Sequence, residues 1–159
     1  MQISSLLTLH LSVDRSYPPS MKIFPCGKNA LIPRPPILVV DDDANVRRVL
    51  VRVLRKRGFD VIDTDRGANV LSLCLEYRPR LVFLDLIMPG VDGAQVVKIL
   101  HSSCLSRRPS IVMVTGTHLP RNVKDALGID DYLSKPFELD RIVSLAEKYS
   151  STPSCSAYV

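Results

Sequence analysis

From Ile37 onward, short apolar runs alternate with helical patterns, and this alternation leaves few architectures open. Ile37–Val40, Val61 with Ile62, Leu81–Leu84, Ile111–Val114 and Tyr132 with Leu133 read as five strands, each bounded by turn-forming residues. Between them lie amphipathic stretches. The clearest is Ala44–Arg57, where Val46, Val49, Leu50, Val53 and Leu54 recur at i, i+3, i+4, i+7 and i+8, with Gly58 placed to end the helix as a left-handed cap. Further helices are expected at Ala68–Tyr77, Ala94–Ser103 with Asp92 or Gly93 near its start, Arg121–Leu127 and Glu138–Tyr149. Strict β/α alternation with short loops predicts a doubly wound α/β fold: a five-stranded parallel sheet with helices on both faces.

Residues 37–149 make one domain, and 159 residues leave a few dozen to spare. Residues 14–36 hold Pro18, Pro19, Pro25, Pro33, Pro35 and Pro36 without periodicity, so 1–36 reads as an extended, proline-rich, disordered arm. Residues 150–159 read as a short tail. In the arm Arg15, Lys22, Lys28 and Arg34 face only Asp14, so +3 of the formal +5 lies there and the remainder carries little attraction for nucleic acid. The opening MQISSLLTLHLSV lacks a basic leader and a cleavage motif, and it is too short to span a bilayer. Cys26, Cys74, Cys104 and Cys155 form no CxxC pair, which argues against a zinc site or a redox dithiol and suits a reducing, cytoplasmic setting.

The stretch VFLDLIMPG puts Asp85 at the carboxyl end of a buried strand, just before a Pro-Gly turn. Capping of the turn is the plain explanation for such an acid. The first strand, however, also ends in acids, Asp41, Asp42 and Asp43, and adjacent parallel strands of a doubly wound sheet bring their carboxyl ends together. Carboxylates crowded in this way call for a cation, and hard oxygen ligands with room for water favour Mg²⁺. Asp43 or Asn45 can at the same time cap the Ala44 helix. Two more strand ends add a hydroxyl at Thr115 and an ammonium at Lys135. A nucleophile, a cation and donors for the remaining oxygens are the parts needed to place a phosphoryl group on a carboxylate.

The ordered set VVDDD, FLDLIMPGVDG, VMVTGT and DYLSKPF resembles the receiver domain of two-component response regulators, of the CheY-like, flavodoxin-like fold, over about Ile37–Tyr149. The resemblance implies that Asp85 is the phosphoacceptor. Asp42 and Asp85 would bind Mg²⁺ through carboxylates, Asp41 mainly through water, and Ile87 through its backbone carbonyl. Thr115 would hydrogen-bond the phosphoryl group, Lys135 would pair with it across a cis Lys135–Pro136 bond, and Tyr132 would be the aromatic switch that follows Thr115. The expected role is a stand-alone response regulator, not an enzyme in the ordinary sense. It would accept a phosphoryl group from a sensor histidine kinase or histidine phosphotransfer protein and alter its binding to a downstream protein, with no direct contact to nucleic acid or membrane.

Three departures stand out. Ile87 is apolar where receivers often carry a polar residue that positions attacking water, Thr117 stands two residues past the switch threonine, and the segment carrying the fourth helix is short. The first helix is unusually basic, with Arg47, Arg48, Arg52, Arg55, Lys56 and Arg57, either as a solvated face or as a steering surface for an acidic partner. Ile87 also argues against a phosphatase of the haloacid dehalogenase type, which would want an acid there. The shortened fourth helix leaves as rival a receiver-like interaction module that signals without phosphorylation.

Overall fold

The computed structural model describes residues 23–26, 30–33, 35–116 and 121–150. Five parallel strands, β3 (Ile37–Val40), β4 (Val61–Thr64), β5 (Leu81–Asp85), β6 (Ser110–Thr115) and β7 (Asp131–Ser134), form a sheet in the order β4-β3-β5-β6-β7. Helices α1 (Ala44–Lys56), α2 (Val70–Tyr77), α3 (Gly93–Ser102), α4 (Arg121–Leu127) and α5 (Leu139–Ser150) connect or follow them. A short 3-10 turn, Gly67–Asn69, leads into α2 where the sequence suggests helix from Ala68.

Strands covered on both faces read as unbroken apolar runs, and all four residues of β3 are buried. Their side chains alternate between two cores. Ile37, Val39, Phe83, Val112 and Val114 pack with Leu50, Val51 and Leu54 of α1 and with Ile142, Leu145 and Ala146 of α5. Leu38, Val40, Leu84, Ile111 and Met113 face the other way, toward Val70 and Cys74 of α2 and Val96, Val97 and Leu100 of α3. Burial pushes the Cys74 thiol up to about 12, so it packs as a small apolar group. None of the described helices is long and apolar enough to cross a membrane.

The chain passes from β3 to β4 on one side of the sheet and returns to β5 on the other. The switch point thus falls between β3 and β5, where a crevice opens at the carboxyl edge. Val40 pairs with Leu84, so the next residues, Asp41 and Asp85, are neighbours.

In two places the structure departs from the sequence reading. Within the arm expected to be disordered, β1 (Ile23–Cys26) and β2 (Ala30–Pro33) pair as an antiparallel hairpin. Ile23, Phe24, Leu31 and Ile32 are good strand formers, and a two-stranded ladder has two outer edges on which Pro25 and Pro33 need not donate. Within that arm residues 1–22, 27–29 and 34, and elsewhere Thr117 and the tail beyond 150, lie outside the described residues. The apolar stripe of α1 keeps Val46, Leu50, Val53 and Leu54 against the core but takes Val51 in place of Val49, which is 41% exposed. Gly58 takes φ +84° after this helix, the left-handed conformation that its position suggested.

Helix α3 starts hard against the end of β5. The Gly93 N–H donates to the Leu86 carbonyl at 3.0 Å, and a Cβ on Gly93 would collide with the Asp85 carbonyl oxygen. Gly93→Ala is therefore expected to cost about 1–3 kcal/mol, read as a lower denaturation midpoint. Gly116→Ala, where a Cβ meets nothing within 4 Å, should leave that midpoint nearly unchanged.

Candidate functional site

Asp41 leaves β3 and Asp85 ends β5, both at the switch point and both buried. Their carboxylates are joined by Lys135, whose Nζ lies 2.9 Å from Asp41 Oδ2 and 2.7 Å from Asp85 Oδ1. The remaining oxygens are also engaged. Asp41 Oδ1 accepts from the Asp43 N–H at 2.9 Å, and Asp85 Oδ2 accepts from the Ile87 N–H at 3.1 Å. Asp42 is exposed, yet one of its carboxylate oxygens falls within 4.8 Å of one from each of the other two acids. Asp43 caps α1 by accepting from the Asn45 N–H at 2.7 Å.

Lys135, whose bond to Pro136 is cis, follows the end of β7 and reaches the crevice with its Nζ. Its N–H donates to the Thr115 carbonyl at 2.7 Å, which ties it to the end of β6. Thr115 is buried at that strand end beside the lysine. Four of the expected residues, Asp41, Asp42, Asp85 and Lys135, are thus in one cluster, with Thr115 on its rim. Ile87 stands over the entrance, 73% exposed. Tyr132 is half-buried on the edge strand β7, against the core that backs α3, and lines an open cleft of about 540 Å³ with Ser134, Phe137 and Arg141.

Burial is the largest influence on the Asp41 carboxyl and raises its pKa, reinforced by the nearby Asp85 and opposed by Lys135. For Lys135, burial would favour loss of the proton, but the bonds to Asp85 and Asp41 outweigh it and hold the ammonium above its ordinary range. Three carboxylates against one ammonium leave an excess of negative charge, all of it on hard oxygen donors. Such a set fits a small divalent cation of the Mg²⁺ kind, and Asp42 offers it an open approach.

Residues outside the expected phosphoryl site hold this arrangement. Asp131 is buried at the start of β7 and accepts from Lys148 Nζ at 3.0 Å, Tyr149 Oη at 3.1 Å and the Tyr132 N–H at 3.0 Å. Burial alone would raise its pKa, yet these donors bring it below the usual carboxylate range and anchor β7 to α5. Arg47 of α1 donates from Nη1 to the Asp41 carbonyl at 2.6 Å and from Nε to Asp63 Oδ2 at 3.2 Å. It lies one turn before Leu50 and Val51 on the buried side of α1, a phase that could have marked it in the sequence as inward-facing. Arg55 donates to the Val61 carbonyl of β4 at 3.0 Å but stays 59% exposed, so the basic outer face keeps Arg48, Arg52, Arg55, Lys56 and Arg57.

The Asp41 shift has a definite sign. A carboxyl whose folded pKa is raised costs stability that accrues as pH climbs from the unfolded pKa through the folded one, and Lys135 offsets the cost. Lys135→Met should destabilise the metal-free protein by about 2 kcal/mol at pH 7, and the gap should close as pH falls below the carboxylate range, measured by urea denaturation across pH.

The family model of the response regulator receiver domain matches residues 37–147. The DNA-binding response regulator MtrA of Mycobacterium tuberculosis is 42% identical over 110 residues, 68% of this chain and 47% of its own length. The phosphate regulon transcriptional regulatory protein PhoB of Klebsiella pneumoniae is 33% identical over 110 residues, 68% of this chain and 48% of its own. The chain therefore spans about half the length of these relatives. Among solved structures, the signal receiver domain of a response regulator from Bermanella marisrubri superposes with a TM-score of 0.64 at 30% identity, covering 72% of this chain and 97% of that one. The chemotaxis protein CheY4 of Vibrio cholerae shares the fold at a TM-score of 0.65 and 23% identity, over 71% and 96% of the two chains. With a doubly wound sheet, a carboxylate cluster at its switch point and a family match across the whole sheet, the chain belongs to the response regulator receiver domain family.

Proposed function

We propose that this receiver domain takes a phosphoryl group from a phosphohistidine onto Asp85 and thereby changes its binding to another protein. The observation that carries this reading is the Lys135 ammonium held between Asp41 and Asp85 at the open carboxyl edge. The donor would be a sensor histidine kinase or a histidine phosphotransfer protein, and the setting the cytoplasm. DNA binding belongs to MtrA by name and is not extended to this chain.

In the proposed reaction a carboxylate oxygen of Asp85 forms a bond to phosphorus as the phosphorus–nitrogen bond breaks. The donor ring, already protonated on its other nitrogen, takes the electron pair of the broken bond and leaves as neutral imidazole. Asp41, Asp42, Asp85 and the Ile87 backbone carbonyl would hold Mg²⁺. Bound there, the ion would offset charge on the phosphoryl oxygens. Lys135 would turn one N–H from the Asp85 carboxylate to a phosphoryl oxygen, and the Thr115 hydroxyl would donate to another. Drawing Thr115 inward would free space for Tyr132 to change rotamer on the edge strand. In this way the chemistry would reach the α4–β7–α5 surface.

Mass of the intact protein after incubation with Mg²⁺ and acetyl phosphate tests the reading. One added phosphoryl group is expected in the wild type and none in Asp85→Asn or with a chelator. The seven-residue α4 favours the second reading, an interaction module that works without phosphorylation, and absence of an adduct in folded, Mg²⁺-binding wild type would select it.

The exposed, apolar Ile87 offers no group to orient attacking water. Self-dephosphorylation should therefore be slow, and Ile87→Asn should speed decay of the phosphoform by about 10-fold, a fraction of what a full general base supplies. The decay after removal of the donor, followed by mass, checks this. Equal lifetimes would remove Ile87 from the explanation.

A further inference from the structure

Arg47 takes no part in the proposed phosphoryl chemistry, yet it is drawn inward, with only 18% of its side chain exposed. Its Nη1 donates to the Asp41 carbonyl at 2.6 Å and its Nε to Asp63 Oδ2 at 3.2 Å. Asp63 lies on β4 beside Thr64, whose carbonyl accepts from the Asp41 N–H at 3.3 Å. A closed circuit of bonds therefore runs from the Asp41 carbonyl through Arg47 and Asp63 into β4, and returns from Thr64 to the Asp41 N–H. Since the two carboxylate oxygens of Asp41 are taken by the Asp43 N–H and Lys135, every polar group of Asp41 is held. A planar guanidinium can serve two acceptors in fixed directions, which the single ammonium of a lysine does poorly.

We infer that Arg47 and Asp63 are a positioning pair for the cation site. By locking the main chain at Asp41, they fix where the Asp41 and Asp42 carboxylates stand relative to Asp85. The inference rests on the proposal that these acids hold Mg²⁺. Its test is sharpened by two effects of opposite sign. The guanidinium is itself a cation near a cation site, so its charge alone weakens Mg²⁺ binding. Its geometry strengthens binding, because ligands held in place need not be ordered by the ion. Partners that orient metal ligands are commonly worth about 10–100-fold in affinity, enough to dominate.

Calorimetric titration of the whole chain with Mg²⁺ decides, in wild type, Arg47→Met, Arg47→Lys and Asp63→Asn, alongside melting curves of the metal-free proteins. Arg47→Met should weaken Mg²⁺ binding by about 10-fold despite removing a positive charge. Arg47→Lys keeps the charge, loses the fork and should also bind more weakly. Asp63→Asn should move in the same direction by less, though its lost charge acts in that sense too, so the Arg47 variants carry the decision. A purely structural role would lower the melting temperature and leave the Mg²⁺ constant unchanged, and this result would overturn the inference. Tighter binding in Arg47→Met would overturn it equally. If Arg47→Met does not fold, Arg47→Lys is read by the same criterion. Wild-type protein that takes up no Mg²⁺ would instead remove the proposed metal site itself, and the positioning pair with it.

Discussion

The ammonium of Lys135 lies 2.9 Å from Asp41 and 2.7 Å from Asp85, and the carboxyl edge of the sheet is organised around it. Buried acids at a parallel-strand switch point lose hydration and, to a smaller degree, repel each other, which is why the Asp41 carboxyl is pushed toward holding its proton. A cation on a side chain lowers that cost without closing the site, because Asp42 and the outer mouth stay open. Removing the lysine would leave the acids to be neutralised by protons or by an ion alone.

The surrounding structure serves to bring these groups to one place. Register between β3 and β5 sets Asp41 beside Asp85, and Gly93 lets α3 begin against the Asp85 carbonyl. Lys135 arrives from the opposite side, just after β7, an edge strand with one neighbour among the described strands. Asp131 compensates for that weakness by gathering Lys148 and Tyr149 of α5 onto the start of the strand. The same anchor sits next to Tyr132, so the strand that presents the lysine is also the one that carries the proposed switch.

Much of this was legible in the sequence because the strands are buried on both faces and their ends are marked by charged or turn residues. ILVV before DDD and LVFLD before a Pro-Gly break specify both the strand and the direction in which its acid points. Helix phase was less legible. In α1 nearly every apolar residue is a valine or leucine, so stripes starting at Val46 or at Leu50 fit almost equally, and only packing against the sheet selects Val51 over Val49. That ambiguity also concealed Arg47, which reads as one more surface arginine until its carbonyl and carboxylate partners are seen. The hairpin in the arm was missed because prolines usually argue against strands, whereas a two-stranded ladder leaves edge positions free for them. Long-range anchors such as Asp131 to Lys148 follow from tertiary placement and leave no local pattern.

Among the three acids, the cluster alone does not say which one receives a phosphoryl group, since Lys135 bonds both Asp41 and Asp85; Asp85 is assigned because it ends β5 two residues before the exposed Ile87 and matches the receiver motif FLDLIMPG. Borohydride reduction of acetyl-phosphate-treated protein, followed by peptide mapping, tests that assignment directly, since an aspartyl phosphate is reduced to homoserine. Homoserine at position 85 alone is expected. Conversion at Asp41 or Asp42 instead, or at no aspartate in protein that binds Mg²⁺, would contradict it.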